Sequence, residues 1–196
     1  MNTKEQIINT SIQLFSDYGY EATTMTKIAD DVGIKKPSIY AHFKNKEAIF
    51  HHTVEQVAKE YIDFVFSTVN QIQDQSAERI LYSVLNQIYT NEYQIEFLGE
   101  FFYRFVLFTP PEIEGQVKPI LQASEEQLEN TFLQIIEKGK TNHEIDPALS
   151  SQTILRHYLF ILNNLDVDLR YYSLSSMALE NHLNDIWKVF WRGIKK

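Results

Sequence analysis

The stretch Thr26 to Phe50, TKIADDVGIKKPSIYAHFKNKEAIF, gathers five of the chain's 18 lysines and arginines, at Lys27, Lys35, Lys36, Lys44 and Lys46. Ser38, Tyr40 and His42 stand among them. Ammonium groups and hydroxyls at this density suit a row of phosphates, each of which carries charge and accepts hydrogen bonds from N–H and O–H donors. The clustering runs against the rest of the chain, whose formal net charge is −8 over 196 residues. Residues 1–50 hold six Lys against six Asp and Glu, so the whole excess of negative charge lies in residues 51–196. An acidic protein is a poor general coat for nucleic acid. A neutral segment with bunched lysines is either a local binding face or an ordinary solvated face, and the elements around it must decide.

The other reactive side chains form no comparable group. There is no cysteine, which excludes disulfides, zinc–thiolate sites and cysteine nucleophiles. No His-Glu-x-x-His, glycine-rich phosphate loop or Gly-x-Ser-x-Gly turn occurs, so neither an enzyme nor a cofactor is expected. His51-His52 with Glu55 sets histidine and carboxylate at i, i+4, but no additional ligand follows. Tandem histidines early in a long helix are more often surface residues, and no metal is expected. His143, Glu144 and Asp146 read as a turn followed by a helix cap.

Hydrophobic residues make up 44% and aromatics 13%, enough for a sizeable core and for an aromatic-lined cavity besides. The N-terminus, MNTKEQIINTSIQLF, is amphipathic and lacks a signal peptide's apolar centre. Apolar runs such as FVLF at 105–108 are too short to span a bilayer, so a soluble, cytoplasmic protein with no membrane partner is expected.

Helical periodicity runs throughout and no strand is evident. Ile8, Ile12 and Phe15 form one stripe of a helix over 4–18, opened by a Thr3/Gln6 capping box and stopped at Gly19. Thr23-Thr24 offers a cap for a two-turn helix ending at Gly33, and Lys36-Pro37 starts the next short helix, reaching Phe43. Asn45 caps a connector running to about 70, followed by helices at about 77–92 and 93–108. Pro110-Pro111 breaks the chain. Over 112–139 the periodicity predicts one helix, whereas Pro119 and a Ser124/Gln127 capping box predict two. Asp146-Pro147 opens a helix to about 170, and a last one covers about 176–193. The fold class is all-α, with about nine helices.

Two short helices joined by a glycine-containing turn make a helix-turn-helix, whose second helix enters the major groove of DNA. Lys36, Lys44 and Lys46 bracket that helix, and the helix starts near Thr24, Lys36 and Asn45 are candidate phosphate seats. Ile28, Val32, Ile34, Ile39 and Phe43 supply the small core beneath. The segment resembles the N-terminal domain of TetR-family transcriptional regulators through Thr23, Thr24, Ile28, Ala29, Gly33, Ile39, Tyr40, His42, Phe43 and Lys46. The motif covers about residues 1–50; beyond it the resemblance is one of architecture, in the helix count, the long connector and two long C-terminal helices. The resemblance implies phosphate and backbone contacts from Thr24, Tyr40, His42 and Lys46, and a base-reading tip at Lys36, Pro37 and Ser38. Lys27, where the family often has an acidic capping partner, is an extra phosphate contact or a tolerated surface lysine. Lys35 stands where serine is common and bears on operator preference.

The resemblance further implies a helix-turn-helix DNA-binding domain over 1–46 and a helical ligand-binding and dimerisation domain over 47–196. Ordinary core is the plainer reading of the aromatic block 97–108. The family nevertheless places a pocket among its middle helices, which makes Phe97, Phe101, Phe105 and Tyr158 an apolar wall and Arg104 and Asn163 polar fixtures. It also implies a homodimer through the last two helices, with Leu155, Leu162, Leu183, Trp187 and Phe190 at the interface. The expected function is a repressor that binds a pseudo-palindromic duplex operator and is released by an unknown small lipophilic or aromatic ligand. The alternatives are a family member without such an inducer and an acidic helical protein-interaction module.

Overall fold

A computed structural model describes residues 2–90, 101, 104–105, 109–172 and 175–196, and their side chains except at 90, 165–172 and 176. Among the described residues there are eight helices: α1 Thr3–Ala22, α2 Met25–Val32, α3 Lys36–Tyr40, α4 Lys46–Gln71, α5 Ala77–Thr90, α6 Pro111–Thr141, α7 Ser151–Tyr172 and α8 Ser176–Ile194. No strand occurs among them, only an isolated antiparallel bridge between Ile145 and Lys195. The fold is all-α. Of the helix expected at 93–108, Phe101, Arg104 and Phe105 are described and are helical; Phe97 lies outside the described residues.

Local chemistry explains the boundaries and where they depart from expectation. The α1 capping box is Asn2 with Glu5, one residue before the Thr3/Gln6 pair: Glu5 N donates to Asn2 Oδ1 and Asn2 N to Glu5 Oε2, each at 3.0 Å. Asparagine is the stronger cap, and the carboxylate also meets the positive end of the helix dipole. Gly19 breaks the helical path with φ 79° and ψ 174°, as its identity suggested, but the chain resumes helical hydrogen bonding to Ala22.

The helix α6 is single. Pro119 removes one donor without ending it, and Ser124 donates its hydroxyl to Ile120 O at 2.9 Å instead of capping a new helix. By contrast α7 begins at Ser151, later than expected. Asp146 Oδ1 accepts from Ala148 N at 2.9 Å, an Asx turn that competes with helix initiation, and Ser150 caps α7 through Thr153 N.

The chain packs into two compact units, residues 1–61 with 96–124 and residues 62–95 with 125–196. In the first, Ile7, Phe15, Ile28, Ile39, Phe43 and Phe50 are buried in one cluster with Phe101, Phe105, Ile113 and Val117. In the second, α5 packs against α7 and α8. There Tyr158 is fully buried, its ring against Phe132 at 4.8 Å and its hydroxyl donating to Leu81 O at 2.9 Å. Tyr89 donates likewise to Leu162 O.

Four of the residues expected at a dimer interface, Leu155, Leu162, Leu183 and Trp187, are buried within this second unit of a single chain, and Phe190 is half-buried. Among the described residues, the large apolar side chains of α7 and α8 that face outward are Phe160, Met177 and Val189, which are 68%, 75% and 75% exposed. Leu183→Ala is therefore expected to cost about 2–5 kcal/mol of stability through transfer and cavity terms, whereas Met177→Ala should change it by no more than about 0.5 kcal/mol. Urea unfolding followed by circular dichroism separates the two; equal effects would remove Leu183 from the core.

Candidate nucleic-acid interface

The face that carries the lysines is built from the caps inward. Thr24 caps α2, its Oγ1 accepting from Lys27 N at 3.1 Å. Thr23, fully buried, instead turns its hydroxyl toward Leu14 O and Gly19 O, tying the end of α1 to the start of α2. Gly33 closes α2 in the left-handed region, φ 77° and ψ 29°, its N–H donating to Asp30 O at 3.1 Å while Ile34 N reaches Ala29 O at 2.9 Å. A β-carbon there costs roughly 1–2 kcal/mol, which is why glycine stands at this turn.

The second helix of the motif, α3, is one turn and a half, with Pro37 in its first turn. It ends at Tyr40, earlier than expected. His42 N and Phe43 N both donate to Ile39 O at 2.9 Å, a tight turn that drives Phe43 inward. Ile39 and Phe43 are buried, so the rest of the segment faces out: Thr24, Lys35, Lys36, Pro37, Ser38, Tyr40, His42 and Lys44 are all exposed. The structure thus brings seven of the nine expected DNA-facing residues to the surface, together with Lys44.

The two remaining lysines are partly engaged. Lys27 lays its ammonium over the Tyr18 ring, 2.9 Å from the centroid. Lys46 donates to Tyr20 O at 2.7 Å and sits 4.0 Å from the Tyr20 ring centre. This brace holds the start of α4 to the end of α1 and leaves Lys46 two further N–H donors. Burial, and after it the Glu47 carboxylate, raise the Tyr20 phenol above its ordinary pKa. Asn45 caps α4 through Ala48 N at 2.8 Å.

The expected ligand-pocket residues do not all fall together. Phe101 and Phe105 are buried and line an apolar crevice with Val54, Val57, Ala58, Val117 and Leu121. Its free volume is ≈ 10 Å³, about one water molecule. Arg104, exposed, points its guanidinium at Gly19. Tyr158 is in the core of the second unit, and Asn163 is exposed on α7.

Two short helices, a left-handed glycine turn and an outward row of lysines define a helix-turn-helix protein. A family model for bacterial regulatory proteins of the tetR family matches residues 7–60. Over that segment the chain is similar to the tetR family. The biofilm operon icaADBC HTH-type negative transcriptional regulator IcaR of Staphylococcus epidermidis is 45% identical over 62 residues, 32% of this chain and 34% of that protein. The alignment thus spans about a third of that relative's length. IcaR of Staphylococcus aureus (strain Newman) is 29% identical over 143 residues, covering 70% of this chain and 71% of that protein. Among solved structures, the fatty acid degradation regulator FadR from Bacillus halodurans superposes with a TM-score of 0.76 at 16% identity, over 97% of this chain and 95% of that one. FadR from Bacillus subtilis in complex with stearoyl-CoA gives 0.71 at 18%, over 97% and 98%. At such identities the likeness is one of fold.

Nothing lies within 4 Å of a β-carbon added to Gly33, so only its backbone angle resists substitution. Gly33→Ala should destabilise the protein by about 1–2 kcal/mol, and Gly33→Asn by clearly less, since Asn tolerates the left-handed region. Thermal unfolding of both variants checks the order; Asn no better than Ala would mean that the turn is not left-handed.

Proposed function

We propose that the protein is a homodimeric transcriptional regulator, a repressor, that docks α3 of each subunit in the major groove of a pseudo-palindromic operator. The observation that carries this reading is the exposed row Lys35, Lys36, Ser38, Tyr40, His42 and Lys44 set over the buried Ile39 and Phe43. The buried pair fixes the helix while everything around it is free to meet DNA. Lys36, Pro37 and Ser38 form the base-reading tip, where a lysine reaches guanine O6 and N7. Thr24, Tyr40, His42 and Lys44 hold phosphates. Lys46 acts in two ways, bracing Tyr20 and offering its spare donors to the backbone, and Lys27 and Lys35 flank the footprint. The names of the IcaR relatives, negative regulators, support repression.

The same reading assigns release to a small lipophilic or aromatic ligand bound beside Phe101 and Phe105. The crevice there holds about one water, so binding requires a state in which it is wider, and the ligand acts only by favouring that state over the DNA-bound one. The stearoyl-CoA in the Bacillus subtilis FadR complex supports a ligand of this class.

For DNA, Lys44→Ala should weaken binding to all duplexes and flatten the slope of log K against log salt by about one per subunit. Lys36→Ala should change preference at one base pair, at a cost of about 1–3 kcal/mol. Fluorescence anisotropy on duplexes selected from a random pool reads both, and a salt slope near zero for the wild type would end the DNA reading.

For assembly, the exposed Phe160, Met177 and Val189 are the apolar contacts we assign to the dimer, with Leu155, Leu162, Leu183, Trp187 and Phe190 as the layer beneath. A dimer is needed because one half-site carries too little discrimination. Val189→Glu should give a folded monomer, since the residue is exposed within one chain, and that monomer should lose operator binding. Sedimentation velocity at micromolar concentration decides; a wild-type monomer, or an undisturbed Val189→Glu dimer, would move the interface elsewhere.

A further inference from the structure

We propose that His51, His52 and Glu55 on α4 form a site for a divalent transition ion of the zinc class. The three side chains occupy positions i, i+1 and i+4 of one helix, and one donor atom from each lies within 4.8 Å of the others. Sequence spacing alone showed a histidine and a carboxylate on one face; the structure adds His52 as the third donor.

Two details of the geometry suit ligation. His51 Nδ1 and Glu55 Oε2 are 3.4 Å apart. That separation matches the edge of a tetrahedron of zinc ligands, roughly 3.3–3.4 Å for metal bonds of about 2.0–2.1 Å.

The second detail is the His52 tautomer. Its Nδ1 lies 3.0 Å from Ala48 O. A carbonyl oxygen only accepts, so the neutral ring carries its proton on Nδ1 and presents a lone pair at Nε2. A backbone carbonyl that holds the far nitrogen of the ring is the usual way a metal-binding histidine is oriented. The ring is further fixed edge-on against Phe43, centroids 5.4 Å apart. Both histidines are half-exposed and Glu55 is exposed, which leaves an entry path and room for solvent to complete the coordination.

Two imidazoles and one carboxylate, with no thiolate, suit zinc, cobalt, nickel or copper ions better than calcium or magnesium, which take all-oxygen shells. Because His52 rests on Phe43, which closes the turn after α3, a bound ion would stiffen the junction of α3 and α4. The inference stands apart from the operator reading, since it concerns the free protein.

The test uses the full untagged chain, stripped with chelator and titrated with cobalt(II) chloride. Visible absorption reports low-symmetry coordination, and zinc displaces the signal. The wild type should saturate at one cobalt per chain. Glu55→Gln and His51→Gln should each weaken binding at least about tenfold, whereas His157→Gln on α7 should leave it unchanged. Glu55 is exposed, so its variant keeps the wild-type circular dichroism, and zinc should raise the melting temperature of the wild type but not of Glu55→Gln. Absence of saturable binding by the wild type, or equal binding by the double variant His51→Gln/Glu55→Gln, overturns the proposal.

Discussion

The first unit is organised around the burial of one ring, that of Phe50. It meets Phe15 edge-on at 4.9 Å, Tyr20 at 5.0 Å and Phe105 at 4.8 Å, and stacks on Phe101 at 5.9 Å. Such pairs add roughly 0.5–1.5 kcal/mol each beyond the apolar area they bury. One side chain of α4 therefore fixes α1 and residues 101 and 105 around itself. Interiors packed at crystal-like density do not deform gradually. With Phe50 seated, α1, α2 and the turn into α3 have one arrangement, and Ile39 and Phe43 have one place to go.

That constraint divides the basic residues into two kinds. Lys46 and Lys27 fold back over Tyr20 and Tyr18, where each cation gains from the ring face and gives up part of its hydration. Lys35, Lys36 and Lys44 are exposed to water, and their attraction to a polyanion is limited only by salt. A lysine bound to a backbone carbonyl contributes to the shape of the motif; a solvated lysine contributes to its field. The acidic remainder of the chain sets the net charge negative, so the proposed operator binding rests on the docking of one face and not on net charge.

What could be read from the sequence follows the range of the forces involved. The caps at Thr24 and Asn45 and the stop at Gly33 were legible because each is decided within three or four residues. So was the outward set on α3, since Ile39 and Phe43 leave little choice of inner face. The start of α7 was misread because Asp146-Pro147 resembles a helix opening, while Asp146 in fact spends its carboxylate on an Asx turn. Pro119 was ambiguous because one lost hydrogen bond is outweighed by the burial of Ile113 and Val117 before it and Phe132 and Ile136 after it, which no local pattern weighs. The last two helices are apolar on more than one face, and the sequence did not separate inward Leu183 and Trp187 from outward Phe160, Met177 and Val189. Nor did it show that Tyr158 would be held by Leu81, a residue 77 positions away.

The break at Gly19 carries a historical consequence. A β-carbon there would come within 2.9 Å of Arg104 Nη1, and the backbone angles, φ 79° and ψ 174°, belong to a region open essentially to glycine alone. Arg104 can be exchanged for a shorter residue without disturbing position 19. Position 19 cannot accept a side chain, even beside a shortened neighbour, until the chain path from α1 into α2 is itself redrawn. The two sites are thus linked like a ratchet. Among descendants of this protein residue 104 is free to wander, and glycine 19 should outlast it.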